Sequence, residues 1–145
     1  MKKTKFKVGE VQVLNFELNG NQKISGLLHE SVSFKTKYWL NKLADDVAKE
    51  VKTFGKVRDE LLKKLGTEDK DGNFSIKPSD ENWKEFEEQI EAISNEIIEI
   101  SYAEFLLEDF DFKSNNNYHQ FSKLLSVPDE EIEVAKKPIK KGKNG

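Results

Sequence analysis

Hydrophobic residues recur with two different spacings along the chain, and each spacing predicts a different kind of element. Over residues 11–18 they alternate with polar residues, with one change of phase. Alternation is typical of a half-buried strand. The dipeptide Asn19-Gly20 follows and suits a tight turn. We therefore predict a β-rich leader over residues 5–28, in which residues 23–28 form the return strand of a hairpin.

A spacing of three and four residues replaces the alternation in the middle of the chain. It predicts a long first helix over residues 33–65, which Gly66 ends in a left-handed conformation. A second helix over residues 80–97 carries a heptad repeat. The apolar residues concerned are Leu40, Leu43, Val47, Phe54, Val57 and Leu61 in the first helix, and Trp83, Phe86, Ile90, Ile93 and Ile97 in the second. Because neither helix can bury its stripe alone, we predict a long antiparallel two-helix hairpin.

Residues 97–107 fit either a continued helix or a strand, because isoleucine and tyrosine alternate with polar residues there. We favour a strand over residues 98–104 that pairs with the N-terminal hairpin. A short helix over residues 116–126 precedes Pro128. The predicted fold class is therefore α+β, with a small antiparallel sheet beside the helical hairpin, in a single domain of residues 1–128.

Charge is distributed unevenly, with basic ends and an acidic body. The net charge of −3 comes from 24 basic and 27 acidic residues. Nine lysines lie at the two ends, so residues 8–135 carry 15 basic side chains against 27 acidic ones. Such a body argues against a nucleic-acid-binding face and leaves that role open for the basic ends alone. Residues 129–145 form a Lys-rich flexible tail, and its candidate partner-binding residues are Lys136, Lys137, Lys140, Lys141 and Lys143.

Candidate chemistry is sparse. Residues 69–73 echo part of a calcium-binding loop, but Pro78 stands where that loop needs a bidentate glutamate, so a polar turn explains them better. His29 and His119 have no companion ligands at a metal-binding spacing. The sequence has no cysteine, no membrane-spanning apolar stretch, no glycine-rich phosphate loop and no nucleophile elbow. We therefore predict a soluble cytoplasmic protein that is not an enzyme and uses no metal or cofactor.

Short motifs follow one another in a particular order along residues 24–125. Gly26-Leu27-Leu28-His29-Glu30 leads, and Lys37-Tyr38-Trp39-Leu40-Asn41-Lys42-Leu43 opens the first helix. Arg58-Asp59-Glu60-Leu61 and then Asp71-Gly72-Asn73 follow. This series resembles a family of small uncharacterised tailed-bacteriophage proteins. The resemblance implies a phage origin, and it implies no catalytic or binding residue because the family has none assigned.

Two hypotheses about function follow from these predictions. They rest on the phage origin, the rigid hairpin, the strand edge and the two charged extensions. The first is a non-enzymatic virion component, either an auxiliary capsid protein or a head–tail connector or tail-associated protein, that binds other phage structural proteins, alone or as an oligomer. It would lie in the host cytoplasm during assembly and in the virion afterwards. The alternative is an intracellular phage accessory protein, such as an assembly chaperone or a modulator of host machinery.

Overall fold

The structure, a computed structural model, describes residues 1–110 and 118–126. Within those residues it contains three α-helices and three small two-stranded sheets, so a fold of mixed helix and strand is confirmed. In chain order the elements are β1 (Lys2–Lys7), α1 (Val8–Asn19), α2 (Phe34–Leu65), β2 (Thr67–Glu68), β3 (Phe74–Ser75), α3 (Trp83–Ser94), β4 (Ile97–Tyr102), β5 (Phe105–Leu106) and β6 (Leu125–Ser126).

β1 and β4 pair antiparallel, which places Thr4 opposite Ile100 and Phe6 opposite Ile98. Phe6 and Ile100 face the core and are 1% and 4% exposed. The hydroxyl groups of Thr4 and Tyr102 lie 2.9 Å apart and form a diagonal cross-strand hydrogen bond. A strand after the second helix was predicted to pair with the N-terminal hairpin; the strand and its pairing with β1 are confirmed, but the rest of that hairpin does not form.

The predicted strand hairpin over residues 5–28 is wrong beyond β1, because the chain forms α1 there. Val13 and Phe16, which lie within the predicted strand, are 46% and 42% exposed. The change of phase in the alternating pattern reflects a helical spacing of three and four, which brings a different set of residues onto one face. The buried residues of α1 are Val8, Val11, Leu14, Glu17 and Leu18.

Glu10 stabilises the first turn of α1. The backbone N–H of Lys7 donates to Glu10 Oε1 at 2.8 Å, and the ammonium group of Lys123 donates to Glu10 Oε2 at 3.1 Å. The hydrogen bond from Lys7 and then the contact with Lys123 lower the pKa of Glu10 below its ordinary value. A carboxylate at this position also interacts favourably with the helix dipole.

α1 ends in a loop where the return strand of the hairpin was predicted. Gly20 has a φ of +70°, so Asn19-Gly20 does form a turn, but it ends a helix instead of joining two strands. Asn21 Oδ1 then accepts two backbone N–H groups, both at 2.8 Å, and bends the chain. The prediction of a strand over residues 23–28 is therefore wrong, and a 3₁₀ helix forms at Leu27–His29.

α2 confirms the predicted helix over residues 33–65. Ser33 Oγ caps it by accepting a hydrogen bond from the Thr36 N–H at 3.2 Å. Its first half buries Leu40, Leu43 and Val47. These residues join the main core with α1 and β4, so the prediction that Leu40 and Val47 pack against the second helix is wrong. The cause is α1, which supplies an apolar helical face where strands were expected.

Gly66 ends α2, but its backbone is extended, with φ −88° and ψ −175°, so the predicted left-handed conformation is wrong. Close packing requires glycine here instead, because a Cβ would lie 2.6 Å from the carbonyl oxygens of Leu62 and Ser75. β2 and β3 follow as a small antiparallel hairpin. Asp69 Oδ1 accepts two backbone N–H groups at 2.8 and 3.0 Å within its turn, which confirms the predicted polar turn.

α3 is shorter than the helix predicted over residues 80–97. Asp80 Oδ2 accepts a hydrogen bond from the Lys77 N–H at 2.8 Å, which fixes a turn ahead of the helix. Ile97 belongs to β4 and is 57% exposed, so its predicted place in the helical seam is wrong. α3 contacts both α2 and α1. α3 has 12 residues and α2 has 32, so only part of α2 can lie beside α3. The long antiparallel hairpin is therefore not confirmed and stays a prediction.

The last described segment is attached to α1 through a buried carboxylate. Glu17 is 5% exposed, and its two oxygens accept the N–H groups of Gln120 and Phe121 at 2.9 and 2.8 Å. A four-residue 3₁₀ helix begins there and leads into β6, which pairs parallel with β5. Among the described residues, the short helix predicted over residues 116–126 is therefore confirmed only at Phe121–Leu124, as a 3₁₀ helix, and Leu125–Ser126 pair with β5 instead.

Candidate protein-binding surface

The second half of α2 and the whole of α3 carry apolar side chains that the described structure covers incompletely. α3, which is described in full, has no buried residue. The same holds for α2 between Val47 and Leu65. We call the half-buried apolar set the open seam; it consists of Val51, Phe54, Leu61 and Leu62 on α2 and Trp83, Phe86, Ile90 and Ile93 on α3.

α3 is anchored near both of its ends. At its start, Asn82 Nδ2 donates to the Leu65 carbonyl oxygen at 3.1 Å. At its end, Ser94 lies against α1, since a Cβ on Gly9 would be 3.4 Å from the Ser94 Cβ. The rings of Trp83 and Phe86 lie 5.9 Å apart and tilted by 36°, so they pack on one another within the open seam. The seam is thus held in place while its apolar side chains stay only partly covered.

Both helices carry exposed side chains of both charges. Side chains three, four or seven positions apart lie on the same face of a helix. By this spacing the exposed residues Glu85, Glu88 and Glu91 of α3 share a face with the exposed Lys84. On α2 the exposed lysines Lys49, Lys52, Lys56 and Lys63 share a face with the exposed acidic residues Asp45, Asp59 and Glu60.

A surface groove of about 450 Å³ lies beside the start of α2. Lys35 and Trp39 line it from α2, and residues 103–106 line its other side. Two aromatic side chains nearby are unusually open to solvent: Phe34 is 90% exposed and Tyr38 is 57% exposed. This end of α2 therefore offers a second apolar patch, at the opposite end of the helix from the open seam.

The residues singled out from the sequence do not assemble into a site. The five candidate lysines, Lys136, Lys137, Lys140, Lys141 and Lys143, lie outside the described residues. His29 and His119 are both exposed. In the described part of the chain, no three potential metal ligands come together.

Comparison of the chain with protein-family models, curated proteins and solved structures gave no match. The resemblance to phage proteins therefore stays a prediction from the sequence. None of the described helices is both apolar and long enough to cross a lipid bilayer.

Proposed function

We propose that this protein is a non-enzymatic structural component of a bacteriophage virion, either an auxiliary capsid protein or a head–tail connector or tail-associated protein, that acts by binding other proteins. The observation that carries the proposal is the open seam. A 12-residue helix with Trp83, Phe86, Ile90 and Ile93 on one side has no buried residue. Each of these side chains is between 9% and 36% exposed, and covering that remaining surface with a partner would contribute at most about 1 kcal/mol.

The chemistry of the open seam suits a protein partner. Interface cores are enriched in aromatic side chains and depleted of charge. Trp83 and Phe86 supply such a centre, and the exposed glutamates around them supply a polar rim. In this proposal α2 and α3 run antiparallel as the predicted hairpin, and the partner completes the seam that the hairpin leaves half-covered.

The virion assignment rests on the sequence. The order of motifs over residues 24–125 resembles small tailed-phage proteins, and the Lys-rich tail offers a charged extension of the kind that orders against a larger assembly. Charge contributes to this attachment mainly at low ionic strength, because exposed charges are screened beyond about 8 Å at physiological salt.

A second candidate is an intracellular phage accessory protein, such as an assembly chaperone or a modulator of host machinery. The same open seam favours it, since a chaperone also presents a half-exposed apolar surface to its client. The two candidates differ in where the protein ends up after assembly. They therefore make opposite predictions for the composition of finished particles.

Mass spectrometry of purified particles of the encoding phage separates the candidates. We expect peptides covering residues 81–100 in a fixed ratio to the major capsid protein, unchanged through a second gradient purification. An abundant host cytosolic protein, measured in the same particles, serves as the control for contamination. Presence in the infected-cell lysate but absence from particles would overturn the virion proposal and support the accessory one.

A further inference from the structure

We infer that the partner of the open seam is an amphipathic helix of another protein, which carries one carboxylate on its apolar side and pairs it with Arg58. The inference rests on the proposed function, because it states the chemistry of the partner that covers the same surface. It goes beyond that function in assigning a residue that selects the partner and in predicting the charge that the partner presents to it.

Arg58 lies in the middle of the apolar side of α2. It is the only arginine in the chain. Residues three, four or seven positions away share its face of the helix. Each of them is apolar or glycine; they are Val51, Phe54, Gly55, Leu61, Leu62 and Leu65. Counted by this spacing, Arg58 is therefore a single charge surrounded along the helix by the apolar residues of the open seam.

The guanidinium group of Arg58 is weakly paired within the described part of the chain. Its one ion pair there joins Nη2 to Oδ1 of the neighbouring Asp59 at 3.5 Å. That distance exceeds the roughly 2.7–2.9 Å of a strong hydrogen bond between charged groups. The two side chains are 52% and 62% exposed, so the pair contributes little. Most of the N–H donors of the guanidinium group are thus available to an acceptor on a partner.

Space for a partner lies beside Arg58. Gly55 is one turn earlier on the same face of α2. Apart from its chain neighbours and the nearby backbone of its own helix, no described atom comes within 4 Å of a Cβ built on it. Glycine is unfavourable inside a helix, and no packing within the described chain requires it here. A partner can therefore approach the backbone of α2 closely at this point and reach the guanidinium group.

The charge of Arg58 determines which partner can cover the open seam. The centres of protein interfaces combine aromatic side chains with arginine, and Trp83 and Phe86 supply the aromatic part here. A wholly apolar helix would bury the guanidinium group without a partner, which is strongly unfavourable. A carboxylate removes that penalty, because it can accept two parallel N–H groups of one arginine. The partner that fits is a helix with apolar residues three and four positions apart and one aspartate or glutamate among them.

Selection of helical peptides on the purified full chain tests the inference without the natural partner. The probe is a ribosome-displayed library of designed amphipathic helices. One position in the middle of their apolar side is varied among acidic, basic, amide and aliphatic residues. On the wild type we expect aspartate or glutamate to be enriched over glutamine at that position by at least about tenfold, as expected for a charge-assisted pair.

Substitutions of Arg58 should change the selected charge. On Arg58→Glu, lysine and arginine should replace the acidic residues among the enriched helices. Arg58→Gln should select neither charge. Arg58→Lys should keep a weaker preference for acidic residues, because an ammonium group lacks the planar fork that matches a carboxylate.

A matched control reverses a charge on the other side of α2. All the residues three, four or seven positions from Lys56 are exposed, so this lysine lies away from the open seam. Lys56→Glu should therefore select the same helices as the wild type. Circular dichroism and melting temperature establish that all the variants are folded.

Several results would overturn the inference. A preference for acidic residues that survives Arg58→Glu would place the binding elsewhere on the molecule. Enrichment without any preference for charge would mean that Arg58 stays in water when the seam is covered. A complete lack of enriched helices would mean that the seam does not bind a helix. Sedimentation velocity of the wild type adds a further check, since a dimer that Arg58→Glu dissociates would assign the seam to a second copy instead.

The test also separates this inference from the proposed function. It uses purified protein and designed helices, whereas the virion proposal is decided by the composition of particles. Selection of acidic helices together with absence from particles would reject the virion component and keep the helix-binding seam. Presence in particles without any enriched helix would keep the virion proposal and reject this partner.

Discussion

Glu17 shows how a single side chain links distant parts of this chain. It lies on the buried side of α1, and its two oxygens accept N–H groups of Gln120 and Phe121, which stand more than one hundred positions later in the sequence. Hydrogen bonds to charged groups are worth about 1.5–3 kcal/mol. These two hydrogen bonds attach the described C-terminal segment to α1 through this carboxylate.

We expect Glu17→Gln to lower the free energy of unfolding by about 1–3 kcal/mol, because an amide can accept only one of the two N–H groups and leaves the other unsatisfied. Urea denaturation of the full chain measures the change. Glu60→Gln, at an exposed position of α2, is the matched control and should stay within about 0.5 kcal/mol of the wild type. Equal stabilities for the two variants would mean that the segment is held by other contacts.

At the scale of elements, α2 could be predicted closely and α1 could not, for physical reasons that the residues display. α2 has a serine cap and an apolar spacing maintained over 32 residues, so helical periodicity dominates. α1 has 12 residues, and its buried side includes the charged Glu17. A carboxylate on the apolar side obscures the helical pattern, and its partners lie too far along the chain to be recognised from sequence.

The candidate surface, like the helices, could be predicted from the sequence only in part. The heptad repeat of Trp83, Phe86 and Ile90 identified the apolar side of α3 correctly. Their partial exposure could not be foreseen, because it follows from the packing of α1 against the first half of α2. That packing commits Leu40, Leu43 and Val47 to the main core and leaves the second half of α2 as the helical partner of α3.

A substitution of Gly55 tests whether the middle of α2 is open to solvent. Gly55 lies in the helix interior, and apart from its chain neighbours and the nearby backbone of its own helix no described atom comes within 4 Å of a Cβ built on it. We expect Gly55→Ala to raise the free energy of unfolding by about 0.5–1 kcal/mol, because alanine loses less backbone entropy on folding. The measurement is urea denaturation of the dilute protein, in which any self-association is minimal.

Gly66→Ala is the matched contrast, since its Cβ would lie 2.6 Å from two carbonyl oxygens. We expect this variant to be destabilised. Replacing glycine by alanine should thus raise the free energy of unfolding at position 55, inside the helix, and lower it at position 66, the residue that ends the helix. A Gly55→Ala variant that is less stable than the wild type would contradict an open position and would place a closely packed element against α2 at that point.

The whole molecule divides into a well-buried core and a more exposed helical region. Aromatic contacts extend the core to the C-terminal segment, with the ring of Phe121 5.4 Å from that of Phe105 and 5.5 Å from that of Phe110. Within the described residues, the open seam has no comparable burial. Stability should therefore be concentrated around α1, the first half of α2 and β4, while α3 contributes a smaller share and keeps its apolar side available.

Truncations in the two regions should differ accordingly. Leu43 is 2% exposed, and Leu43→Ala should cost about 2–5 kcal/mol by leaving a cavity in the core. Ile90 is half-buried, so Ile90→Ala should cost only about 1 kcal/mol. Urea denaturation at low protein concentration measures both against a total stability of roughly 5–15 kcal/mol.

If Ile90→Ala costs as much as Leu43→Ala, the hairpin seam is a closed core of its own and has no apolar surface to offer a partner. If it costs less than about half a kcal/mol, as at surface sites, the two helices do not pack through that residue at all.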